Sequence, residues 1–220
     1  MTSQARAGRL VLATRNPHKV AELADILRDA TGSTGSTLIG MSEFPEVPDV
    51  VETGVTFAAN ALLKARAVAR ATGLPALADD SGLAVDVLGG SPGVFSARWS
   101  GVGGPDRDRA NNELLLAQLG DVPDEHRGVG FVCAAALALP DGSEVVREGV
   151  VRGTLGRAPR GDSGFGYDPL LVLPDGRTLA EHSPAEKHRI SHRGVAFRAL
   201  AEDLVRILGA ATGRHTEGES

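Results

Sequence analysis

Two adjacent carboxylates, Asp79 and Asp80, and the serine that follows them lie between two apolar runs, residues 74–78 and 83–88. The runs are typical of short buried strands, and Gly82 suits the backbone angles of a tight turn. We therefore predict that the acids lie in a turn at the end of a strand. Adjacent carboxylates tolerate one another when one is protonated or when a divalent cation neutralises them. The segment is either an acidic surface turn or part of a metal-dependent catalytic site.

A second candidate segment, residues 14–19, reads Thr-Arg-Asn-Pro-His-Lys at a predicted junction between a strand and a helix. Asn16 is a suitable helix cap, and Pro17 suits the first helical turn. The free N–H groups of a helix N-terminus attract phosphate, and Lys19 adds a positive charge there. The alternative is a capped helix with a surface lysine, because the chain contains neither a GxxxxGK[ST] loop nor a GxGxxG fingerprint.

A loop acid and two helical residues form a third candidate group. Glu52 precedes a predicted helix whose cap is either Thr53 or Thr56. Asn60 and Lys64 follow one turn apart, so they share a face of that helix. A carboxylate that holds a metal and a lysine that holds phosphate would suit a nucleotide site. The alternative is a solvated helix face.

A fourth candidate segment, residues 164–169, reads Gly-Phe-Gly-Tyr-Asp-Pro in a chain of which only 4% is aromatic. It contains the only tyrosine, Tyr167. We expect Phe165, between two glycines, to be exposed for stacking on a flat ring such as a purine. The alternative is a hydrophobic plug in a turn.

A basic cluster, residues 186–194, lies at the entrance of the last predicted helix of this acidic chain. Lys187 could pair with phosphate, while His192 and Arg193 could donate to a carbonyl oxygen of a base. The alternative is a solvated basic helix start. Taken together, the four segments and this cluster predict a site for a metal-bound polyphosphate that carries a flat ring.

The elements that must position these residues alternate between strand and helix early in the chain and end in a hairpin and a helix. This order predicts an α/β fold with a mixed sheet and helices packed on it. Strands are expected at residues 9–14, 38–39, 74–78, 83–88, 131–139, 144–151 and 170–173. Helices are expected after the Asn16 cap, after Thr53 or Thr56 to about residue 72, at about 105–119 and at about 191–208.

Length, charge and cysteine usage limit the class of protein. The 220 residues suffice for one sizeable core, and we expect a disordered leader over 1–8, a single domain over 9–210 and a flexible tail over 211–220. A net charge of −5 argues against general nucleic-acid binding. The single cysteine, Cys133, lies in an apolar run and is expected to be buried and inert. Without a membrane-length apolar run or a secretory segment, we expect a cytoplasmic protein that binds no membrane.

The ordered motifs Thr-Arg-Asn-Pro-His-Lys, Glu-Thr-Gly-Val-Thr-Phe-Ala-Ala-Asn, Ala-Asp-Asp-Ser-Gly-Leu, Gly-Phe-Gly-Tyr-Asp-Pro and Ser-His-Arg-Gly resemble those of the Ham1-type inosine triphosphate pyrophosphatases. The resemblance extends from residue 10 to about residue 208. It implies an elongated, two-lobed α/β fold with a central mixed sheet flanked by helices, an active-site cleft between the lobes, and a homodimer. It also implies Mg²⁺-dependent hydrolysis of ITP, dITP and XTP to the monophosphate and pyrophosphate, which removes deaminated purines from the nucleotide pool.

Carried over by motif, the resemblance implies a role for each matching residue. Asp80 would be the proton acceptor, and it would bind the metal together with Glu52. The substrate-binding residues would be Thr14, Arg15, Asn16, Pro17, His18, Lys19, Asn60, Lys64, Ser81, Phe165, Gly166, Tyr167, Asp168, Lys187, His192 and Arg193. Many members of the family carry glycine where this chain has Arg15 and His18, so these two side chains would supply charge where glycine would let phosphate approach the backbone.

Three alternatives compete with this interpretation. A related pyrophosphatase could act on other modified nucleotides, such as pyrimidines or methylated bases, although Phe165, His192 and Arg193 favour purines with a 6-oxo group. A non-catalytic nucleotide sensor on the same fold would not need both Glu52 and Asp80. A structural module without a ligand would leave the Gly-Phe-Gly-Tyr and His-Arg segments unexplained.

Overall fold

One mixed sheet of six strands organises the molecule, and helices pack on both of its faces. The computed structural model describes residues 9–31 and 37–213, so the predicted leader, residues 32–36 and the tail beyond 213 lie outside the described residues. The strands are β1 (Arg9–Leu12), β2 (Thr37–Gly40), β3 (Ala76–Val85), β4 (Gly128–Ala138), β5 (Glu144–Leu155) and β6 (Leu171–Val172). The α-helices are α1 (Pro17–Thr31), α2 (Phe57–Thr72), α3 (Arg107–Gln118), α4 (Pro184–Ile190) and α5 (His192–Gly213).

The strand order is β2-β1-β3-β4-β5-β6, which confirms the α/β class and the mixed sheet. β1 pairs in parallel with β2 and β3, whereas β3, β4, β5 and β6 pair antiparallel in succession. The pairing of β1 with β3 ends at Leu12 and Leu77, and β3 then continues beyond the end of β1. The residues that follow in β3 therefore lie beside the start of α1, where a parallel α/β sheet commonly binds its ligand.

Three apolar clusters divide the molecule along the long strands. The first lies between the sheet and the helices α1 and α5, and includes Leu12, Leu77 and Phe197. The second lies on the opposite face, under α2. The third lies at the far ends of β3, β4 and β5, where Leu83 packs with residues of α3 and with β6. The polar segment of β3 separates the third cluster from the other two. The first and second clusters form the first lobe, and the third cluster forms the second lobe.

The predicted turn at Asp79 and Asp80 is wrong. β3 runs without interruption from Ala76 to Val85, and residues 79–82 pair one for one with residues of β4. Gly82 is not a turn glycine. A side chain there would meet Ser96 Oγ at 2.4 Å, so glycine is required by close packing.

The remaining elements agree with the sequence apart from their ends. The hairpin of β4 and β5 is confirmed, and Thr56, the second of the two candidates, caps α2 by accepting from Ala59 N. The short helix α4 was not predicted, and α5 continues into the segment predicted as a tail. Cys133 is buried as expected, and burial raises the pKa of its thiol. Among the described residues, no helix has the length and apolarity needed to cross a membrane.

Arg127 provides a test of what holds the second lobe together. Its buried guanidinium donates to the backbone carbonyls of Leu119, Leu155 and Gly156. Arg127→Met should lower the free energy of unfolding by at least ~3 kcal/mol, because the carbonyls lose their donors while the volume stays filled. Urea unfolding followed by Trp99 fluorescence measures the loss. Arg109→Met, which removes exposed ion pairs on α3, should cost less than ~1 kcal/mol, and equal losses would contradict the assignment.

Candidate active site

The alternation of side chains along β3 sends the two adjacent carboxylates to opposite faces of the sheet. Asp79 lies on the face of Leu77, toward α1 and α5, whereas Asp80 lies on the face of Ala78, toward α2. The two acids therefore do not form the paired cluster that a turn would give. Asp79 pairs with Lys19 and Arg193, whereas Asp80 lies near Lys64.

Asp80 lies among the residues of the third candidate group, which are Glu52, Asn60 and Lys64. Asn60 Nδ2 donates to Asp80 Oδ2 over 2.9 Å, and Asn60 Oδ1 accepts from Gly54 N, which fixes the amide. Lys64 Nζ lies 2.6 Å from Glu52 Oε1 and 4.0 Å from Asp80 Oδ1. Burial raises the pKa of Asp80, with help from Glu52 and Asp79, although Lys64 and Asn60 oppose the shift. A carboxylate with a raised pKa is a better proton acceptor.

Glu52 and Asp80 also have the donor chemistry of a magnesium site. Between them lies the ammonium of Lys64, so the pair already holds one cation. Within residues 9–31 and 37–213, no group of three or more His, Cys, Asp and Glu side chains is arranged to hold a metal by itself. Mg²⁺ commonly takes one or two carboxylates and fills its remaining positions with water and substrate phosphate. The two acids fit that mode, and they do not fit a metal held by protein alone.

Asp79, to which the sequence analysis assigned no role of its own, pairs with two cations of the site. It is 5% exposed, and it accepts from Lys19 Nζ over 3.2 Å and from Arg193 Nε over 3.2 Å. Burial alone would raise the pKa of this carboxyl, but Lys19 and Arg193 outweigh it and hold the pKa well below its usual range. Asp79 is therefore charged at neutral pH.

Arg193 extends this network toward the second lobe. Its terminal nitrogens donate to Glu22 over 3.1 Å and to Ser81 Oγ over 3.2 Å. Burial opposes its charge, but Asp79 and Glu22 raise the pKa of Arg193 further above its ordinary value. Because Ser81 follows Asp79 on the same face of β3, one strand and one arginine connect the two sides of the site.

A cavity of about 300 Å³ lies on one side of this network, and we call it the phosphate-side cavity. It contains both lysines of the predicted phosphate site as well as the predicted metal ligand Glu52. Its lining includes Thr14, Arg15, Lys19, Asp49, Glu52, Lys64 and Asp79.

Arg15 lies in this cavity but is engaged by the loop that follows β2. Its guanidinium donates to Asp49 over 2.9 Å and to the carbonyls of Met41 and Val47. In this arrangement the residue holds the loop between β2 and α2 against the start of α1. Asn16 Oδ1 accepts from Lys19 N over 3.4 Å, which agrees with the predicted cap.

Two further residues of that motif, Pro17 and His18, form the start of α1. Their side chains lie outside the part of the chain that the structure describes, so the phosphate contacts predicted for Pro17 and His18 stay predictions.

A second cavity, of about 110 Å³, lies on the other side of the Arg193 network, and we call it the base-side cavity. His192 lies in its wall with its ring stacked on Phe131, at 4.8 Å between centroids and 13° between planes. Its Nδ1 is buried without a hydrogen-bond partner among the described residues. Burial, with Arg193 and Lys187 nearby, lowers the pKa of His192 well below its ordinary value. The ring is therefore neutral at pH 7, with one donor and one acceptor nitrogen.

Phe165 forms an open edge of the base-side cavity. Its ring is 54% exposed, and Lys187 Nζ and the Arg193 guanidinium lie 5.3 and 5.8 Å from its centroid. Asp168 holds the loop, because its Oδ2 accepts from both Phe165 N and Lys187 Nζ. At Gly164 the φ angle is +86°, and a side chain would lie 2.1 Å from that same oxygen, so only glycine fits.

Tyr167 has a different surrounding from Phe165. Although it also borders the base-side cavity, it is buried in the third apolar cluster, and its hydroxyl donates to Ser96 O over 2.9 Å. Burial raises the pKa of that hydroxyl. Asp168 is buried as well. Tyr167 and Asp168 thus hold the loop that carries Phe165 in place.

Sequence reasoning missed several residues of this site because their segments carry no recognisable chemical pattern. Glu22, on α1, lines the base-side cavity, as do Ser96, Asp108 and Asn111 from the second lobe. For Asp79, in contrast, the sequence did carry a signal. In a continuous strand, adjacent side chains point to opposite faces, so Asp79 and Asp80 must meet different partners, but the sequence analysis assigned a role to Asp80 alone.

Comparison with known proteins shows the family of this chain. The model of the Ham1 family matches residues 10–203. The chain belongs to the Ham1 family. A dITP/XTP pyrophosphatase of Streptomyces avermitilis is 63% identical over 203 residues, which cover 91% of this chain and 99% of the relative. A dITP/XTP pyrophosphatase of Mycobacterium tuberculosis is 54% identical over 206 residues, which cover 93% and 98%.

Solved structures of the family have the same fold. The HAM1 protein of Coxiella burnetii superposes with a TM-score of 0.81 at 42% identity, over 90% of this chain and 98% of that one. A dITP/XTP pyrophosphatase of Mycobacterium abscessus gives a TM-score of 0.73 at 52% identity, over 88% and 96%.

Asp79→Asn tests the shared carboxylate. The amide keeps the shape but removes the buried charge that Lys19 and Arg193 share and leaves Arg193 with Glu22 alone, so the free energy of unfolding at pH 7 should fall by ~3 kcal/mol or more. Because the pKa of Asp79 is lowered by folding, its contribution is present above its unfolded pKa of ~3.9 and is lost as the pH falls below it. The difference between wild type and variant should therefore shrink below pH ~4.

Urea unfolding at several pH values measures this difference. Asp86→Asn, which weakens an exposed pair with Arg152, is the matched control and should change stability by less than ~1 kcal/mol. A loss for Asp79→Asn no larger than the control's would contradict the central role of Asp79.

Proposed function

We propose that this chain is a nucleoside triphosphate pyrophosphatase that hydrolyses dITP, ITP and XTP to the monophosphate and pyrophosphate. The observation that carries the proposal is the pair of cavities on either side of the Asp79–Arg193 contact. One holds lysines and acids that suit a triphosphate, and the other holds an aromatic ring and donors that suit a purine. The names of the relatives, dITP/XTP pyrophosphatases, support the substrate class.

In the proposed reaction Asp80 accepts the proton of a water that attacks the α-phosphorus. Asn60 holds the carboxylate in place, and the raised pKa of Asp80 suits it to take up a proton. Glu52 and Asp80 would hold Mg²⁺, which supplies charge neutralisation and a more acidic water. The bond from the α-phosphorus to the bridging oxygen breaks, and pyrophosphate leaves with that oxygen.

Lys19 and Lys64 would stabilise the triphosphate and the departing pyrophosphate. In the structure each is paired with an acid, Lys19 with Asp79 and Lys64 with Glu52. Phosphate oxygens compete for these ammonium groups, and the exchange of Lys64 from Glu52 to phosphate would leave that carboxylate free for the metal. The lysine pairs thus keep the cavity neutral until substrate binds.

The base-side cavity would select a purine with a 6-oxo group. Arg193 and Lys187 are donors only, and a 6-oxo group accepts from such donors whereas the 6-amino group of adenine does not. His192 is neutral, so it contributes one donor and one acceptor, and not the pair of donors of a charged ring. Phe165 would stack on any purine and add affinity without selecting among them.

A panel of ITP, XTP, GTP and ATP tests this function. We expect ITP and XTP to exceed ATP in kcat/KM by about tenfold or more, because an unpaired buried donor costs roughly 1–3 kcal/mol, and we expect GTP to be poor as well. Pyrophosphate release gives the rates. Phe165→Ala should weaken all four substrates to a similar extent, whereas Arg193→Ala should reduce the preference for ITP over ATP. Equal kcat/KM for ITP and ATP in the wild type would contradict the assignment of the base-side cavity.

Asp80→Asn isolates the chemical step in the same assay. The amide cannot accept the proton, so kcat should fall at least ~100-fold while ITP still binds. Near-wild-type turnover in the folded variant would refute the role of Asp80. A wild type that binds ITP and releases no pyrophosphate would instead be the nucleotide sensor.

Dependence on a divalent cation is a separate test. Removal of metal by EDTA should abolish pyrophosphate release, and Mg²⁺ alone should restore it, because oxygen ligands and phosphate favour a hard cation. Glu52→Gln should raise the Mg²⁺ concentration needed for half-maximal activity. Full activity in excess EDTA would rule out the metal site.

We also infer a single domain over residues 9–210, a homodimer, a cytoplasmic location, and a role in clearing deaminated purine nucleotides. The family match over residues 10–203 supports the domain limits. Light scattering tests the dimer.

A further inference from the structure

The loop that carries Phe165 is held from a second side, by α3, which packs with Tyr167 of that loop in the third apolar cluster. Gly166 N donates to Asp108 Oδ2 over 2.8 Å, and Gly166 O accepts from Asn112 Nδ2 over 3.0 Å. Asp108 and Asn112 lie one turn apart on α3, so one face of that helix binds the donor and the acceptor of the same residue. We call these two contacts the Gly166 clamp.

The clamp acts directly beside an aromatic ring that has little packing of its own. Phe165 is 54% exposed, and its backbone N–H donates to Asp168, which is itself bound by Lys187 of α4. Gly166 has a φ of +63°, in the left-handed region. Without the clamp, Gly166 would lose both of these contacts with α3, and the turn would be held by Asp168, whose N donates to Phe165 O over 3.3 Å. A glycine in such a turn has wide conformational freedom, so the position of the Phe165 ring at the cavity edge would be less fixed.

α3 is itself anchored to the strand that carries the catalytic residues. Asn111 Nδ2 donates to Ser96 O over 3.2 Å, the same carbonyl that accepts from Tyr167. Ser96 Oγ accepts from Leu83 N on β3 over 2.9 Å. The Phe165 ring is therefore positioned relative to β3 by a continuous set of hydrogen bonds that passes through α3.

We propose that Asp108 and Asn112 are positioning residues for base recognition, which act by holding Phe165 in its stacking position. The proposal rests on the proposed function of the base-side cavity. Asp80 is bound by Asn60 and Lys64 of α2, whereas the clamp is built by α3, so loss of the clamp should weaken nucleotide binding and leave the chemical step nearly unchanged.

Asp108→Ala and Asp108→Asn separate the hydrogen bond from other roles of the residue. The alanine variant removes the acceptor for Gly166 N, and we expect KM for ITP to rise on the order of tenfold, with kcat within about twofold of wild type. The asparagine variant keeps an acceptor oxygen and should restore most of the affinity. Glu113→Ala, an exposed change on the same helix, is the matched control and should have no effect.

Two further measurements exclude a general loss of structure. Trp99, the only tryptophan, donates from Nε1 to Gln118 Oε1 at the end of α3, so its emission reports whether α3 stays packed. It should be unchanged in both Asp108 variants. In a Phe165→Ala background, Asp108→Ala should cause no further rise in KM, because the residue acts through the ring that is already missing.

The decisive outcomes are distinct. Additive effects of Asp108→Ala and Phe165→Ala, or a wild-type KM for Asp108→Ala, would overturn the proposal. Calorimetric titration of ITP in EDTA gives the same comparison as dissociation constants without turnover. If the wild type binds ITP but does not hydrolyse it, the proposed function fails while this cycle still decides the clamp. If the wild type does not bind ITP, both proposals fail.

Discussion

The ion pairs of Asp79 are the interaction on which the rest of the site depends. One buried carboxylate accepts from Lys19, at the start of α1, and from Arg193, near the start of α5. A single buried acid could not remain charged alone, and the buried Arg193 and the half-buried Lys19 would repel each other without it. Together they fix the distance between the phosphate-side cavity and the base-side cavity. In the proposed function, this contact would set the distance between the base and the phosphate chain of the substrate.

The strand period explains how β3 serves both cavities. Asp79 and Ser81 face α1 and α5 and contact Arg193, while Asp80 faces α2 and meets Asn60 and Lys64. The proposed proton acceptor, Asp80, and the arginine that neutralises Asp79 thus lie on opposite faces of the strand. The same polar segment interrupts the apolar clusters, so the boundary between the lobes and the site coincide because both follow from these residues.

Much of the fold follows from local patterns in the sequence, whereas the site's internal contacts do not. Alternation and turn residues predicted the β4–β5 hairpin, and capping chemistry predicted the start of α2. The turn predicted at Asp79 was wrong because local sequence does not show what neutralises an acid inside a strand. The partners of Asp79, Lys19 and Arg193, lie 60 and 114 positions away along the chain. Arg15 lies in the expected cavity, but its binding to Asp49 depends on where the loop after β2 folds. Conformations set by distant partners cannot be deduced from spacing.

The central claim is that the geometry directs water to the α-phosphorus of a purine triphosphate held across both cavities. Hydrolysis of ITP in ¹⁸O-labelled water, with mass analysis of the products, tests it most directly. The account predicts one ¹⁸O atom in the inosine monophosphate and none in the pyrophosphate, because the bridging oxygen leaves with pyrophosphate. Label in the pyrophosphate, or release of inosine diphosphate and phosphate, would contradict it.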